Sequence, residues 1–281
     1  MALAATHPAP PLSESPASLL NGSLALPLNG SLASPLNGLL TSLPAGELDE
    51  LKARLVPVSL VRGQVLAECG QPVDHAYFIE RGVMSVVSAP TDQGWDDGVQ
   101  VAMIGQEGMV GDLSLVDMRH PACAHFVVHI PGAALRLPSA ELQRLFERSP
   151  ALHAACARFV RSLMAQVMQT AVCNARRSVT ERCARWLAMT HDRVDGDEVQ
   201  VTHEALSAML GLHRPGVTVA AAALQQAGLI RTSRGCLTVL DRAGLHAFAQ
   251  GSKPVSQAAS PRARPQWAGH GLRPPATDSV L

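Results

Sequence analysis

The segment LGLHRPGVTVAAAALQQAGLI (210–230) sets Arg214, Pro215 and Gly216 at the mouth of a helix that runs on from Val217. Pro and Gly are poor helix formers. Pro is nevertheless tolerated in a first turn, where its missing N–H has no partner to lose. Gly216 removes a side chain, so the backbone there can approach a duplex, and free N–H groups at a helix start favour phosphate. Arg214 can take a guanine edge with two hydrogen bonds, and Val217 and Thr218 offer methyl groups to thymine. Further on, LIRTSRGCLTVLD (229–241) brings Arg231 and Arg234 to an Arg-Gly turn, in reach of backbone phosphates. This is chemistry of recognition. No nucleophile–base pairing and no Gly-rich phosphate loop stands out, so no enzyme and no catalytic residue is expected.

The elements that must position these groups are legible around them. Thr202 can cap a helix over 203–210 by accepting a backbone N–H. Gly211 supplies the positive φ of a sharp turn, and a second helix begins near His213. Leu206, Leu210, Val217 and Leu224 fall on the inward side, and Ser207 is small where the two helices cross. The pattern is a helix-turn-helix, whose second helix enters the major groove by its N-terminal end. Residues 229–241 read as strand, turn and strand, a β-wing, and DRAGLHAFA (241–249) as a closing helix. Over 175–250, nine arginines face seven acids, so affinity must rest on placement and on dimerisation rather than on bulk charge.

The 281-residue chain as a whole carries no net charge, and the pI is about 7.2. Aromatics make up 3% of the chain, which argues against the stacking platforms of single-strand binders. Six scattered cysteines form no CxxC, so neither a zinc finger nor a disulfide framework is expected, and reduced thiols in a cytoplasm fit. His120, Cys123, His125 and His129 cluster in sequence but match no metal-site spacing, and no metal is expected. No apolar run reaches the roughly 18 residues of a membrane span. The N-terminus lacks a basic region ahead of an apolar stretch, so no signal peptide is read.

Residues 1–36 are of low complexity. LNGSL (20–24), LNGSL (28–32) and LNGLL (36–40) recur with a period of eight, and the bland reading is a flexible arm. The alternative is a peptide that docks. From 58 to 137, short apolar runs at 58–66, 75–87, 98–104, 124–130 and 133–137, with a hairpin tip at 91–98, predict a β-sandwich or barrel. A helix over 139–150 is stopped by Pro150. The helix over 151–174 steps Leu152, Cys156, Phe159, Leu163, Gln166 and Thr170 by three and four, which predicts a dimer seam rather than packing on its own barrel. Phe159→Glu is then expected to give monomers. Residues 179–194 form another amphipathic helix. The tail, 251–281, with Lys253, Arg262, Arg264 and Arg273 against Asp278, reads as disordered.

The order of parts resembles the Crp/Fnr superfamily of bacterial transcription regulators, on YFIERGVMSVV (77–87) and THEALSAMLGLHRPGVTVAAAALQQAGLI (202–230). The resemblance implies an α+β chain: a disordered arm (1–36), a cyclic-nucleotide-binding-like β-roll (37–150; a double-stranded β-helix or jelly roll), a dimerisation helix (151–176), a winged helix-turn-helix (177–250) and a disordered tail (251–281). It implies a cytoplasmic homodimer on near-palindromic double-stranded DNA, with RNA polymerase as a further partner. The alternative is a ligand- or protein-binding module whose winged helix makes protein contacts. By resemblance Arg214 reads a base and Thr202 and His213 contact phosphate. The acid that usually follows that arginine is replaced by Pro215, and a later arginine by Val219, so half-site preference does not carry over. The effector pocket falls on Gly111, Asp112, Leu113, Arg119 and Cys123. The family's Arg-Ser/Thr phosphate pair aligns with Ala122 and Cys123, so a cyclic phosphate loses its charged partner, and Arg119 is displaced by three. Residues 1–68 hold no cysteine, which excludes an N-terminal iron–sulfur cluster. No cofactor is expected, and the effector is unidentified.

Overall fold

The computed structural model describes residues 35–89, 98–111 and 120–251. The arm before 35, the hairpin tip, Asp112, Leu113, Arg119 and the tail beyond 251 lie outside the described residues. No helix among those described is long and apolar enough to cross a membrane.

Two short helices, α1 (Gly38–Thr41) and α2 (Ala45–Lys52), precede a β-roll of β1 (Val56–Leu60), β2 (Val65–Ala67), β3 (His75–Ser88), β4 (Val99–Ile104), β5 (Met109–Val110) and β6 (His125–Pro138). The sheet runs β1-β6-β3-β4, with β2 also on β6 and β5 on β3, and every pairing is antiparallel. The long β3 and β6 pair from His75↔Pro138 to Val87↔His125. Their register shifts around Arg81 and Val83, where Gly82 (φ +92°) meets Gly132. A Cβ on either glycine would collide with the opposing strand's carbonyls, so the paired glycines let the two strands bend together. This overturns the expectation of separate strands at 124–130 and 133–137. The strand expected at 58–66 instead divides at Gly63, whose positive φ of 78° makes a turn. Phe78, Phe126, Ile79, Met84, Ile104 and Leu137 fill the interior.

Helix α3 (Ser139–Arg148) ends before Pro150, which opens α4 (Pro150–Arg176) at a position where proline costs no hydrogen bond. Ser149 caps α4 by accepting the Leu152 N–H at 2.8 Å. The face expected to form a dimer seam is occupied within the chain. Leu152, Cys156, Phe159 and Leu163 are 7% exposed or less and pack into the roll core. Gly108 accommodates the Phe159 ring, which a Cβ there would strike. Gln166 accepts the Met103 N–H at 2.6 Å and donates back to the Met103 carbonyl at 3.1 Å, pairing with β4 as a neighbouring strand would. The Thr170 hydroxyl donates to the Gln166 carbonyl. Burial pushes the Cys156 thiol up to about 12, so it is no reactive nucleophile. The large apolar residues that α4 does expose are Met164, Met168 and Val172, at i, i+4 and i+8.

The C-terminal head comprises α5 (Val179–His191), β7 (Glu198–Val199), α6 (His203–Leu210), α7 (Arg214–Gln226), β8 (Ile230–Ser233), β9 (Cys236–Val239) and α8 (Arg242–Ala249), with a sheet in the order β7-β9-β8. A capping box starts α5: Ser178 accepts from the Glu181 N–H, and the Glu181 carboxylate accepts the Ser178 N–H. Trp186, Leu187, Leu206, Val217, Leu224 and Leu245 make the head core, which Val83 and Met103 of the roll join. At the end of α5, Asp192 accepts from Arg242 at 2.6 and 2.9 Å and contacts His246 at 3.1 Å, clamping α8 to α5. Burial alone would raise the Asp192 pKa, but the hydrogen bonds from His246 and Arg242 and their charge hold it below its ordinary value. A carboxylate with a depressed folded pKa stabilises above its unfolded value of about 3.9, and that contribution is lost as pH falls through the lower folded value. Asp192→Asn is therefore expected to cost about 1–3 kcal/mol at neutral pH. The gap to wild type in denaturant unfolding should close as pH drops below the carboxylate range.

Candidate nucleic-acid interface

The turn between α6 and α7 is built from local rules. Thr202 accepts the Ala205 N–H at 3.1 Å, so α6 starts where a cap is available. Gly211 closes it in the left-handed region (φ 58°, ψ 46°), with its N–H on the Ala208 carbonyl and the Leu212 N–H on that of Ser207. Ser207 is buried at the crossing. From α5, Arg182 donates to the Leu210 carbonyl and fixes the last turn of α6.

Helix α7 begins at Arg214, as the sequence suggests, with His213 in the capping position but making no side-chain cap. Two expectations change. Val217 is fully buried in the head core and cannot meet thymine. It lies seven residues before buried Leu224, two turns along the same inward face. The Gly216 N–H donates to the His213 carbonyl at 2.9 Å, so it is not left for phosphate, and Pro215 has none to offer. What this helix start presents outward is mainly side chains. Arg214, Thr218 and Val219 are exposed on the outward face, Val219 at 70%. Sequence reasoning passes over Val219 as a contact, although helical spacing puts it two residues off the buried stripe. A Cβ on Gly216 would make only an ordinary contact with Val179, so packing does not demand glycine there.

Arg214 has a local partner. Its Nη1 lies 3.4 Å from Glu204 Oε2, with both side chains largely exposed. Such a pair is worth little in water, so the guanidinium can exchange it for a base edge. The Thr218 hydroxyl donates to the Arg214 carbonyl at 3.1 Å and contacts His203 Nδ1 at 3.2 Å, which limits its freedom. Thr202 and His213 are exposed, as are Arg231 and Arg234 on the wing, whose turn rests on Gly235 (φ 73°). The Thr232 N–H donates to Gln225 of α7 at 2.8 Å, tying wing to helix.

On the sensor side, Gly111 is buried and Cys123 exposed. They flank the undescribed segment that carries Asp112, Leu113 and Arg119. Ala122 is buried and apolar where the resemblance places an arginine. His129 meets Trp186 of the head edge-on at 5.3 Å. Burial, aided by the charge of Arg62, pushes its pKa down to about 3, so it stays neutral near pH 7. Among the described residues no three His, Cys, Asp or Glu side chains converge as a metal site.

Comparison with known proteins agrees with this architecture. A cyclic nucleotide-binding domain family matches residues 57–149, and a Crp-like helix-turn-helix domain family matches residues 181–248, together more than half of the chain. No curated protein matches the sequence. Among solved structures, FixK2 from Bradyrhizobium japonicum aligns with a TM-score of 0.58 at 14% identity, over 73% of this chain and 99% of that one. The c-di-GMP-responsive global regulator CLP of Xanthomonas campestris aligns with a TM-score of 0.56 at 17% identity, over 70% and 100%. A CRP-family transcriptional regulator from Thermus thermophilus aligns with a TM-score of 0.55 at 20% identity, over 70% and 98%. These likenesses concern the fold, while the two matched domains and their order assign the family: the chain belongs to the Crp/Fnr family of transcription regulators, with a cyclic-nucleotide-binding-type sensor domain ahead of a Crp-like helix-turn-helix.

Proposed function

We propose that the protein is a homodimeric, sequence-specific regulator that reads a near-palindromic duplex through Arg214 and acts in the cytoplasm on RNA polymerase. The observation that carries this reading is the presentation of an exposed arginine on the first turn of α7, held by a left-handed glycine turn. Thr202, His213, Arg231 and Arg234 supply backbone contacts, and Gly216 lets the helix start come close. Thr218 and Val219 flank Arg214 toward the neighbouring base pairs. The two copies join along Met164, Met168 and Val172 of α4. The sensor roll answers an effector other than an ordinary cyclic nucleotide held by an Arg-Ser pair, because Ala122 and Cys123 stand in those places.

Arg214→Ala is expected to lower specific affinity by about 1–3 kcal/mol and to relax preference at one base pair per half-site. Arg231→Ala and Arg234→Ala should weaken all sequences alike and flatten the salt dependence by about one ion each. Selection of bound duplexes from a random pool, repeated with each variant, separates the two behaviours. An unchanged base preference for Arg214→Ala removes it from the reading role. Binding that ignores salt throughout favours a winged helix that docks protein instead.

A further inference from the structure

The third Leu-Asn-Gly copy is built into the fold. Asn37 is fully buried, and its amide makes four hydrogen bonds. Nδ2 donates to the carbonyls of Ile79 at 2.9 Å and Gly108 at 2.8 Å, and Oδ1 accepts the N–H groups of Leu39 at 3.1 Å and Leu40 at 3.3 Å. The Glu80 carboxylate accepts the N–H groups of Leu36 at 2.8 Å and Asn37 at 3.1 Å. The Gly38 N–H donates to the Gln106 carbonyl at 2.7 Å. Leu39 and Leu40 enter the roll core. An aspartate would lose both donors, and a glutamine would carry its amide one methylene too far. This socket therefore reads a sequence: Asn by its amide, the residues beside it by their backbone, and a leucine three positions on.

The same letters recur at 20–24 and 28–32. Asn29 corresponds to Asn37 and Leu32 to Leu40, while Ser31 replaces Leu39 and Pro35 replaces buried Leu43. We propose that the surface formed by Ile79–Glu80 and residues 105–108 is a docking site for a Leu-Asn-Gly-x-Leu peptide, and that Leu28–Leu32 of the same chain is its reserve occupant, entering by a slip of one repeat. The slip lengthens the link to α2 by one repeat, and closure cost grows only with the logarithm of loop length. The second copy is tethered, so its effective concentration is high. It forfeits the apolar burial of Leu39 and Leu43, so the third copy holds the site in the wild type. The socket loop also carries Glu107, which binds Arg193 of the head, so the occupant touches a loop that is ion-paired to the head.

The test uses full-length protein in four forms: wild type, Asn37→Ala, the Asn21→Ala/Asn29→Ala pair, and all three together. Thermal unfolding and hydrogen exchange read by mass spectrometry are measured on each. The pair alone should melt like wild type. Asn37→Ala should melt lower and gain exchange protection over residues 28–35. The triple variant should melt lower still and lose that protection. Adding a synthetic peptide of residues 27–35 should raise the melting temperature of the triple variant, and the same peptide with alanine for Asn29 should not. Equal melting of Asn37→Ala and the triple variant, with unprotected 28–35, overturns the proposal. So does failure of Asn37→Ala to fold, because the reserve copy should sustain it, and so does a peptide without effect.

Discussion

In the proposed dimer, Met168→Glu is expected to leave monomers and to cut operator affinity by about two to four orders of magnitude. Met164, Met168 and Val172 are 53%, 61% and 53% exposed on one stripe of a helix whose other stripe is spent on the roll. Two such helices related by a two-fold axis bring the same stripe together from both sides. Each of these side chains is already about half buried, so covering the remainder is worth roughly 1–1.5 kcal/mol per side chain, counted in both protomers. A glutamate at 168 puts two carboxylates near the axis, between the apolar side chains of Met164 and Val172. A monomer then engages one half-site, and the gain from tethering the second head, about 10²–10⁴, is lost. Sedimentation at micromolar concentration and binding to a whole and a half operator check both parts. Phe159→Glu is the useful contrast. Phe159 is buried against Gly108, so that charge is forced into the roll core and unfolds the protomer, not the dimer. Persistence of the dimer in folded Met168→Glu would place the seam elsewhere.

The contrast between Phe159 and Met168 shows where sequence reading stops. Helix α4 carries two apolar stripes, and periodicity reports both without saying which surface each one meets. A helix laid on its own roll and a helix laid on a second copy leave the same three-and-four spacing. The head is legible because its signals are local. The Thr202 cap, the left-handed turn at Gly211 and the inward spacing of Leu206, Val217 and Leu224 each act within a few residues. That same spacing already places Val217 in the core, against its reading as a thymine contact. Asn37 is illegible for the opposite reason. Its partners Ile79 and Gly108 lie 42 and 71 residues away, so a buried keystone looks like one more turn in a repetitive arm. The bend shared by β3 and β6 likewise needs Gly82 and Gly132 to face each other, which no local window shows.

Arg193→Met is expected to destabilise the chain by about 3–5 kcal/mol, and adding Glu107→Leu is expected to restore most of that loss. Arg193, just past α5, donates from Nε to Glu107 Oε1 at 2.8 Å across the junction of head and roll, and from Nη1 to the Met189 carbonyl at 2.8 Å. The two side chains are only 9% and 14% exposed. The stem of Arg193 lies on Gly105, where a Cβ would crowd it. Removing the cation alone strands a carboxylate away from water, and that desolvation is the cost. Removing both charges leaves an apolar contact beside one that exists already: Met103 and Val83 pack with the head core, and Trp186 donates to Gln100 at 2.6 Å. The junction should therefore tolerate a pair of apolar side chains. Denaturant unfolding of both singles and the double gives the coupling directly. A double variant as unstable as Arg193→Met would mean that the two groups are not energetically paired. If the double regains stability but binds operator less well than wild type, the ion pair sets the orientation of the head on the roll, because in a dimer that angle fixes the spacing of the two Arg214 side chains along the duplex.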